Sequence, residues 1–262
     1  MIDFGSTYER LELKYLIGEA DAESIRAAIQ PFCVPDAFNP SEGARRGYTI
    51  NNLYLDTSDW TFFQQWRRKD RDRIKLRIRT YDVGPAFLEV KRKTVDVISK
   101  TRAKVAREEV EACVRGFGRT LSGSPREERL LNNFSYFAAR TGAEPRVYVR
   151  YEREAWVGTL DRYARVTFDR RLTAQAEERW FLQGDAQEHQ ITMDDPWHYD
   201  GLQSPLILEL KCETRMPVWM SDLIRHFSLT RRGFSKYGFG VDGVLREALG
   251  WASLGLAGAD YV

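Results

Sequence analysis

The chain is poor in cysteine. Its three, Cys33, Cys113 and Cys212, are an odd and scattered set, and no CxxC pair occurs in 262 residues. A disulfide framework and a zinc ribbon are therefore excluded, and a reducing, cytoplasmic setting is expected. Histidine is as scarce: His189, His198 and His226 show no metal-ligand spacing. No run of about 18 apolar residues exists, so no helical membrane span is expected. Met1 to Arg10 lacks the basic start and apolar core of a secretory signal. Net charge is only +2, which argues against binding nucleic acid through bulk positive charge. There is no Walker A motif, no internal repeat and no composition shift that would mark a linker. One domain over residues 1–262 is expected, with 43% hydrophobic residues to build its core.

What the chain does have is cations on strands. From Arg73 to Arg79, Arg or Lys alternates with Ile or Leu. A period of two is the strand signature, and it puts four cations on one face and three aliphatics on the other. Similar segments recur. Tyr8 to Ile17 sets Arg10, Glu12 and Lys14 against Leu11, Leu13, Tyr15 and Ile17. Tyr48 to Leu55 reads as a second strand. Ala86 to Lys93 follows the turn Asp82-Val83-Gly84-Pro85 and is expected to pair with 73–81 as a hairpin. Ser99 to Lys104, Arg107 to Val114, Arg146 to Val157, Ala164 to Arg170 and Leu206 to Glu213 complete the strand expectations. Helices are expected over 21–30 with Asp21 as N-cap, over Trp60 to Trp66, and over 125–140. The last starts on Ser124-Pro125-Arg126-Glu127, a capping box with Pro at the first position, and stops at Gly142. Another is expected over 217–229. Arg231 to Gly240 reads as a basic, Gly-rich loop, and the tail from Val241 to Val262 as helical at first and then loose. The literal GxGxxG at 238–243 follows no strand and opens no βαβ unit, so a dinucleotide role is set aside. Tyr and Trp interleaved with Arg could serve single-stranded nucleic acid, but the cations alternate within strands and no exposed platform motif is present.

The charged faces are expected to point inward. Like charges on neighbouring strands repel, a cost that a bound polyanion would offset. Curling the sheet into an antiparallel barrel of about eight strands encloses the ionic faces, and the helices then cover the apolar ones. The fold expected is thus α+β: an eight-stranded antiparallel β-barrel with a charged lumen, flanked by helices. Arg suits phosphate because its planar fork donates two parallel hydrogen bonds and keeps its charge. Carboxylates are the expected ligands of Mg²⁺ or Mn²⁺. Glu12, Glu89 and Glu209 sit mid-strand on cationic faces; an ion pair to a neighbouring Arg is the simpler role for each.

A set of segments in shared order then resembles the polyphosphate polymerase domain of vacuolar transporter chaperones (VTC), within the triphosphate tunnel metalloenzymes. They are Glu12–Ile17, Tyr54–Thr57, Leu76–Tyr81, Phe87–Lys93, Lys100–Arg102, Tyr151–Trp156, Arg165–Asp169, Leu208–Lys211 and Phe234–Gly238. The resemblance implies a tunnel in which the terminal phosphate of ATP is moved onto a growing polyphosphate chain. Lys14, Arg77, Arg79, Lys91, Lys100, Arg153, Arg165 and Lys236 would grip the phosphates, with Arg102 a further contact beside Lys100. Glu209, with Glu12, would hold the divalent metal, Mn²⁺ or Mg²⁺. The implied partners are ATP and inorganic polyphosphate or pyrophosphate, and not nucleic acid. A tri- or polyphosphate hydrolase and a non-catalytic phosphate-binding module of the same fold are the alternatives. Strand parity agrees for Lys14, Arg77, Arg79, Lys91, Lys100, Arg165 and Glu209. Arg153 shares a face with Val147, Val149 and Tyr151, so its inward position rests on the resemblance unless a bulge intervenes. Two departures stand out. Arg10 occupies the first site of the Glu-x-Glu-x-Lys opening common in the wider superfamily. The phosphate-sensing domain and membrane spans fused in eukaryotic members are not visible, so a membrane-protein partner stays open.

Overall fold

The computed structural model describes residues 10–40, 46–95, 97–160, 163–180, 182, 191–192, 205–213 and 215–248. Its elements run β1 (Arg10–Ile17), α1 (Glu19–Ile29), β2 (Cys33–Pro35), β3 (Tyr48–Asp56), α2 (Thr61–Arg67), β4 (Asp72–Tyr81), β5 (Ala86–Thr94) and β6 (Val97–Val105). They continue with α3 (Val110–Val114), α4 (Pro125–Thr141), β7 (Glu144–Gly158), β8 (Arg165–Ala176), β9 (Ile191–Thr192), β10 (Leu206–Glu213), α5 (Val218–His226) and α6 (Lys236–Ala248).

Eight strands form one antiparallel path in the order β1-β10-β8-β7-β3-β4-β5-β6, with β2 and β9 attached to β7 and β8. The path is curled but open among the described residues: β1 and β6 end it and share no ladder. The expected barrel is thus an eight-stranded half-barrel. The curl is nevertheless deep enough that Lys91 on β5 feels the charges of Glu12 and Lys14 on β1 and Glu209 on β10.

The apolar faces turn outward and are covered as the alternation requires. Leu76, Ile78, Leu88, Val90 and Ala103 pack under Leu131, Phe134 and Ala138 of α4. Tyr15, Ile17, Phe168, Leu208 and Leu210 pack with Ile25 and Ile29 of α1 and Met220 and Leu223 of α5. Ser124 caps α4 by accepting from the Glu127 amide at 3.3 Å, and Gly142 ends it at φ 64°. Arg26 ties α1 to the outside of β7 by donating to Glu154 at 2.7 and 3.0 Å. Arg170 and Trp156 donate to the same carboxylate.

Three expectations are corrected. Gly18, not Asp21, is the N-cap of α1, and Asp21 lies in its first turn. Residues 110–114 form helix α3 rather than a strand, with Val110, Cys113 and Val114 buried at the helical spacing i, i+3, i+4. The expected basic loop is helical from Lys236 onward. His189 and His198 lie outside the described residues.

The α6 helix is the main surprise, because it packs inside the curl. Tyr237, Phe239, Val241 and Val244 meet Ile50, Tyr54, Val147, Val149, Tyr151, Leu172 and Ala174. Its glycines permit that approach. A Cβ on Gly238 would lie 2.3 Å from the Trp66 indole, and one on Gly240 would lie 3.0 Å from Val149.

Candidate functional site

The register assembles one inward surface. On β4 the inward row contains Lys75, Arg77 and Arg79. Arg77 is opposite Tyr54 of β3 and Glu89 of β5, while Arg79 is opposite Asn52 and Phe87. Lys91 is opposite Lys100, and Glu89 opposite Arg102. On the other side Lys14 is opposite Glu209, Glu209 opposite Thr167, and Lys211 opposite both Glu12 and Arg165. Arg153 is opposite Asp169 and Tyr48. Its row, Val147, Val149, Tyr151 and Arg153, faces inward as a unit. Val147 and Val149 meet α6, while Tyr151 and Arg153 reach the charged zone. On β8 a register shift opposite Arg150 and Glu152, with Arg171 at φ 52°, lets Asp169 and then Leu172 both face inward.

Three carboxylates hold this surface together. Glu89, Asp169 and Glu209 are 2%, 1% and 3% exposed, so each must be paired to stay charged. Glu89 accepts from Arg77, with Nε at 2.9 Å, and its Oε1 lies 3.4 Å from both Lys100 and Arg102. Burial opposes its charge, but Arg77, Arg79 and Lys100 outweigh that and hold it far below the carboxylate range. Asp169 takes a two-pronged grip from Arg153 at 2.6 and 2.7 Å and an ion pair from Lys236 at 2.6 Å. Despite burial, those two cations bring it down to about 2. Glu209 lies 3.1 Å from Lys211, 3.6 Å from Arg153 and 3.7 Å from Lys14. These cations also overcome its burial and keep it ionised.

The cations outnumber the carboxylates that answer them. Among the described residues, no ion pair reaches Lys75, Arg79, Lys91 or Arg165. Arg79 donates to Asn52 Oδ1 at 3.1 Å and Tyr151 Oη at 3.5 Å. Lys75 donates to Ser235 Oγ at 3.0 Å and stands over the Trp66 and Tyr237 rings. Burial and the like charges of Lys91, Lys14, Arg73 and Arg77 push its ammonium down to about 7. Lys100 is lowered to about 8, by burial first and then by Arg77, Arg79 and Arg102 against the pull of Glu89. Lys91 and Lys100 are open to water yet penalised as crowded groups. That combination is what a side chain projecting into a water-filled channel experiences.

The structure therefore brings Lys14, Arg77, Arg79, Lys91, Lys100, Arg102, Arg153, Arg165, Lys236, Glu12 and Glu209 onto one inward face. Sequence reasoning missed Lys75, Asp169 and Tyr151 as members. Lys75 was legible in the alternation itself, and Asp169 in the parity of Arg165 and Thr167. Lys236 enters from the first turn of α6. Beneath that turn, Asp56 accepts from the amides of Phe62 and Phe63 at 2.9 and 3.0 Å and from the Tyr237 hydroxyl, anchoring the helix.

A divalent cation fits the donor set. Glu12 and Glu209 share the inward face across the β1–β10 ladder, where Lys14 lies 3.0 Å from one and 3.7 Å from the other, and the Thr167 hydroxyl beside Glu209 is buried without a hydrogen-bond partner. No group of three or more His, Cys, Asp or Glu is clustered for a metal among the described residues. Any ion held here would draw its remaining ligands from phosphate oxygens and water, as Mg²⁺ commonly does.

Among solved structures, the chain resembles a candidate adenylate cyclase from Bacillus halodurans (12% identity, TM-score 0.49, covering 87% of this chain and 94% of that one). It also resembles a candidate adenylate cyclase from Vibrio parahaemolyticus (12%, TM-score 0.45, 89% and 99%). A third is a protein from Pyrococcus horikoshii (11%, TM-score 0.46, 89% and 98%). No curated protein sequence matches significantly. No helix among the described residues is long and apolar enough to cross a membrane. The family model for the VTC domain matches residues 9–245, nearly the whole inward-facing apparatus included, and the chain belongs to the VTC domain family.

Proposed function

We propose that this chain, as one domain over 1–262, is a metal-dependent phosphotransferase that builds inorganic polyphosphate from the terminal phosphate of ATP. The observation that carries this reading is the excess of inward cations. Glu89, Asp169 and Glu209 each already have at least two cations within 4 Å, yet among the described residues Lys75, Arg79, Lys91 and Arg165 make no ion pair of their own. A string of phosphates supplies the missing negative charge. Phosphoryl transfer needs mostly positioning and charge neutralisation, and every group for that is present. Arg77, Arg79, Lys91 and Lys100 hold phosphate oxygens from the β4–β6 side. Lys14, Arg153, Arg165 and Lys236 hold them from the β1–β8 side and from α6. Glu209 and Glu12 hold Mn²⁺ or Mg²⁺, which when bound draws charge from the phosphate oxygens. The attacking oxygen belongs to phosphate or to the end of the chain, so no protein nucleophile is required.

Product analysis of the purified chain incubated with ATP and Mn²⁺ tests this. Long-chain polyphosphate with ADP is expected. Free phosphate alone would make the chain a hydrolase, and unchanged ATP a binding module. Glu209→Ala is expected to abolish turnover; full activity in that variant would remove Glu209 from the metal role.

A further inference from the structure

At one end of the inward surface the cations give way to rings. Tyr81 follows Arg79 on its row, Phe87 is the cross-strand partner of Arg79, and Tyr48 is the partner of Arg153. Phe38, from the loop after β2, completes the group. It lies 6.3 Å from Tyr81, nearly parallel, and 6.2 Å from Tyr48; Tyr81 lies 5.8 Å from Phe87. The loop is fastened rather than loose. Asn39 both donates to and accepts from the Ala155 backbone at 2.7 and 3.1 Å, and Asp36 Oδ1 accepts from the Phe38 amide at 3.0 Å. Phe38 is nonetheless 76% exposed, a large ring held out in water at the mouth of a charged cleft.

Arg102 joins the rings to the phosphate-facing groups. Its guanidinium lies 3.6 Å from the Phe87 ring centroid, donates to Tyr81 Oη at 3.4 Å, and stands 3.4 Å from Glu89, the carboxylate that holds Arg77. One inward step along a strand, about 7 Å, thus separates a phosphate grip from an aromatic surface. That is the spacing a ribose imposes between an α-phosphate and its base.

Resting on the phosphate-transfer reading, we propose that Phe38, Tyr48, Tyr81 and Phe87 are the seat of the nucleobase of a nucleoside triphosphate whose phosphates run inward past Arg79. Arg102 covers the junction between base and phosphates. Among the described residues the seat offers mainly ring faces, with the Tyr48 and Tyr81 hydroxyls as its own polar groups. Stacking of this kind accepts any base, so ATP and GTP are expected to bind within a few-fold of each other.

The test compares ligands with and without a base. The full chain and its Phe38→Ala and Phe38→Trp variants are titrated calorimetrically with ATP, GTP and inorganic tripolyphosphate. Phe38→Ala is expected to weaken ATP and GTP by about tenfold, the scale of one lost stack. Tripolyphosphate affinity stays unchanged, and Phe38→Trp restores nucleotide affinity. Because Phe38 is exposed, its removal leaves the core intact. Equal weakening of all three ligands, or no change for the nucleotides, would overturn the base seat while leaving the phosphate reading standing. A wild-type chain that binds none of the three would overturn both.

Discussion

At the scale of single residues, charge on the inward face is balanced pair by pair, and the pairs set what each substitution does. Arg77→Ala strips Glu89 of its nearest partner and leaves that buried carboxylate to Lys100 and Arg102. A stability loss of about 1–3 kcal/mol is expected, together with weaker polyphosphate binding; a variant with wild-type melting and binding would contradict the pairing. Lys75 and Lys100 make a second expectation. With pKa values near 7 and 8, both lose charge as pH rises through that range, so their pull on phosphate fades. Their ordinary value is higher, so the unfolded chain binds more protons there. Their contribution to folding stability therefore rises with pH from about 7 upward while their contribution to binding falls. Tripolyphosphate binding is expected to take up protons near pH 7.5, measurable by calorimetry in buffers of different ionisation enthalpy. Lys75→Gln should diminish the uptake. Asp169 behaves oppositely. Held down to about 2, it contributes stability above pH ~4 that is lost as acid approaches its folded value.

At the scale of elements, α6 decides how the curl is filled. Alanine normally helps a helix by about 1 kcal/mol over glycine, yet Gly238→Ala would drive a methyl into the Trp66 ring. A lower melting temperature is expected despite the propensity gain; a higher one would mean that α6 does not press on α2. Tyr237→Phe removes one donor to the buried Asp56 and is expected to cost about 1–3 kcal/mol. The strands were legible in the sequence because alternation is a local signal: Lys14, Arg77 and Glu209 face inward as their parity requires. The helix was not. Its glycines and basic first turn look like a loop, and only the tertiary approach to Trp66 and Val149 explains them. The same contact explains Val147 and Val149, inward residues that parity alone made look outward.

At the scale of the whole molecule, the curl was legible in the like-charged strand faces that had to be enclosed, but how far it closes was not. Nothing local says that β1 and β6 end the sheet among the described residues, or that Lys91 and Glu12 come within electrical reach across it. Gripping a phosphate string requires that enclosure, because the same cations on a flat sheet would be dispersed and solvated. The most direct test of the enclosure is calorimetric titration of inorganic tripolyphosphate into the full chain and into Arg79→Ala, which removes a cation that makes no direct ion pair among the described residues. One tight equivalent per chain is expected, weakened about tenfold or more by the substitution, the worth of a charge-assisted hydrogen bond. No binding by the wild-type chain, or equal binding by both, would contradict it.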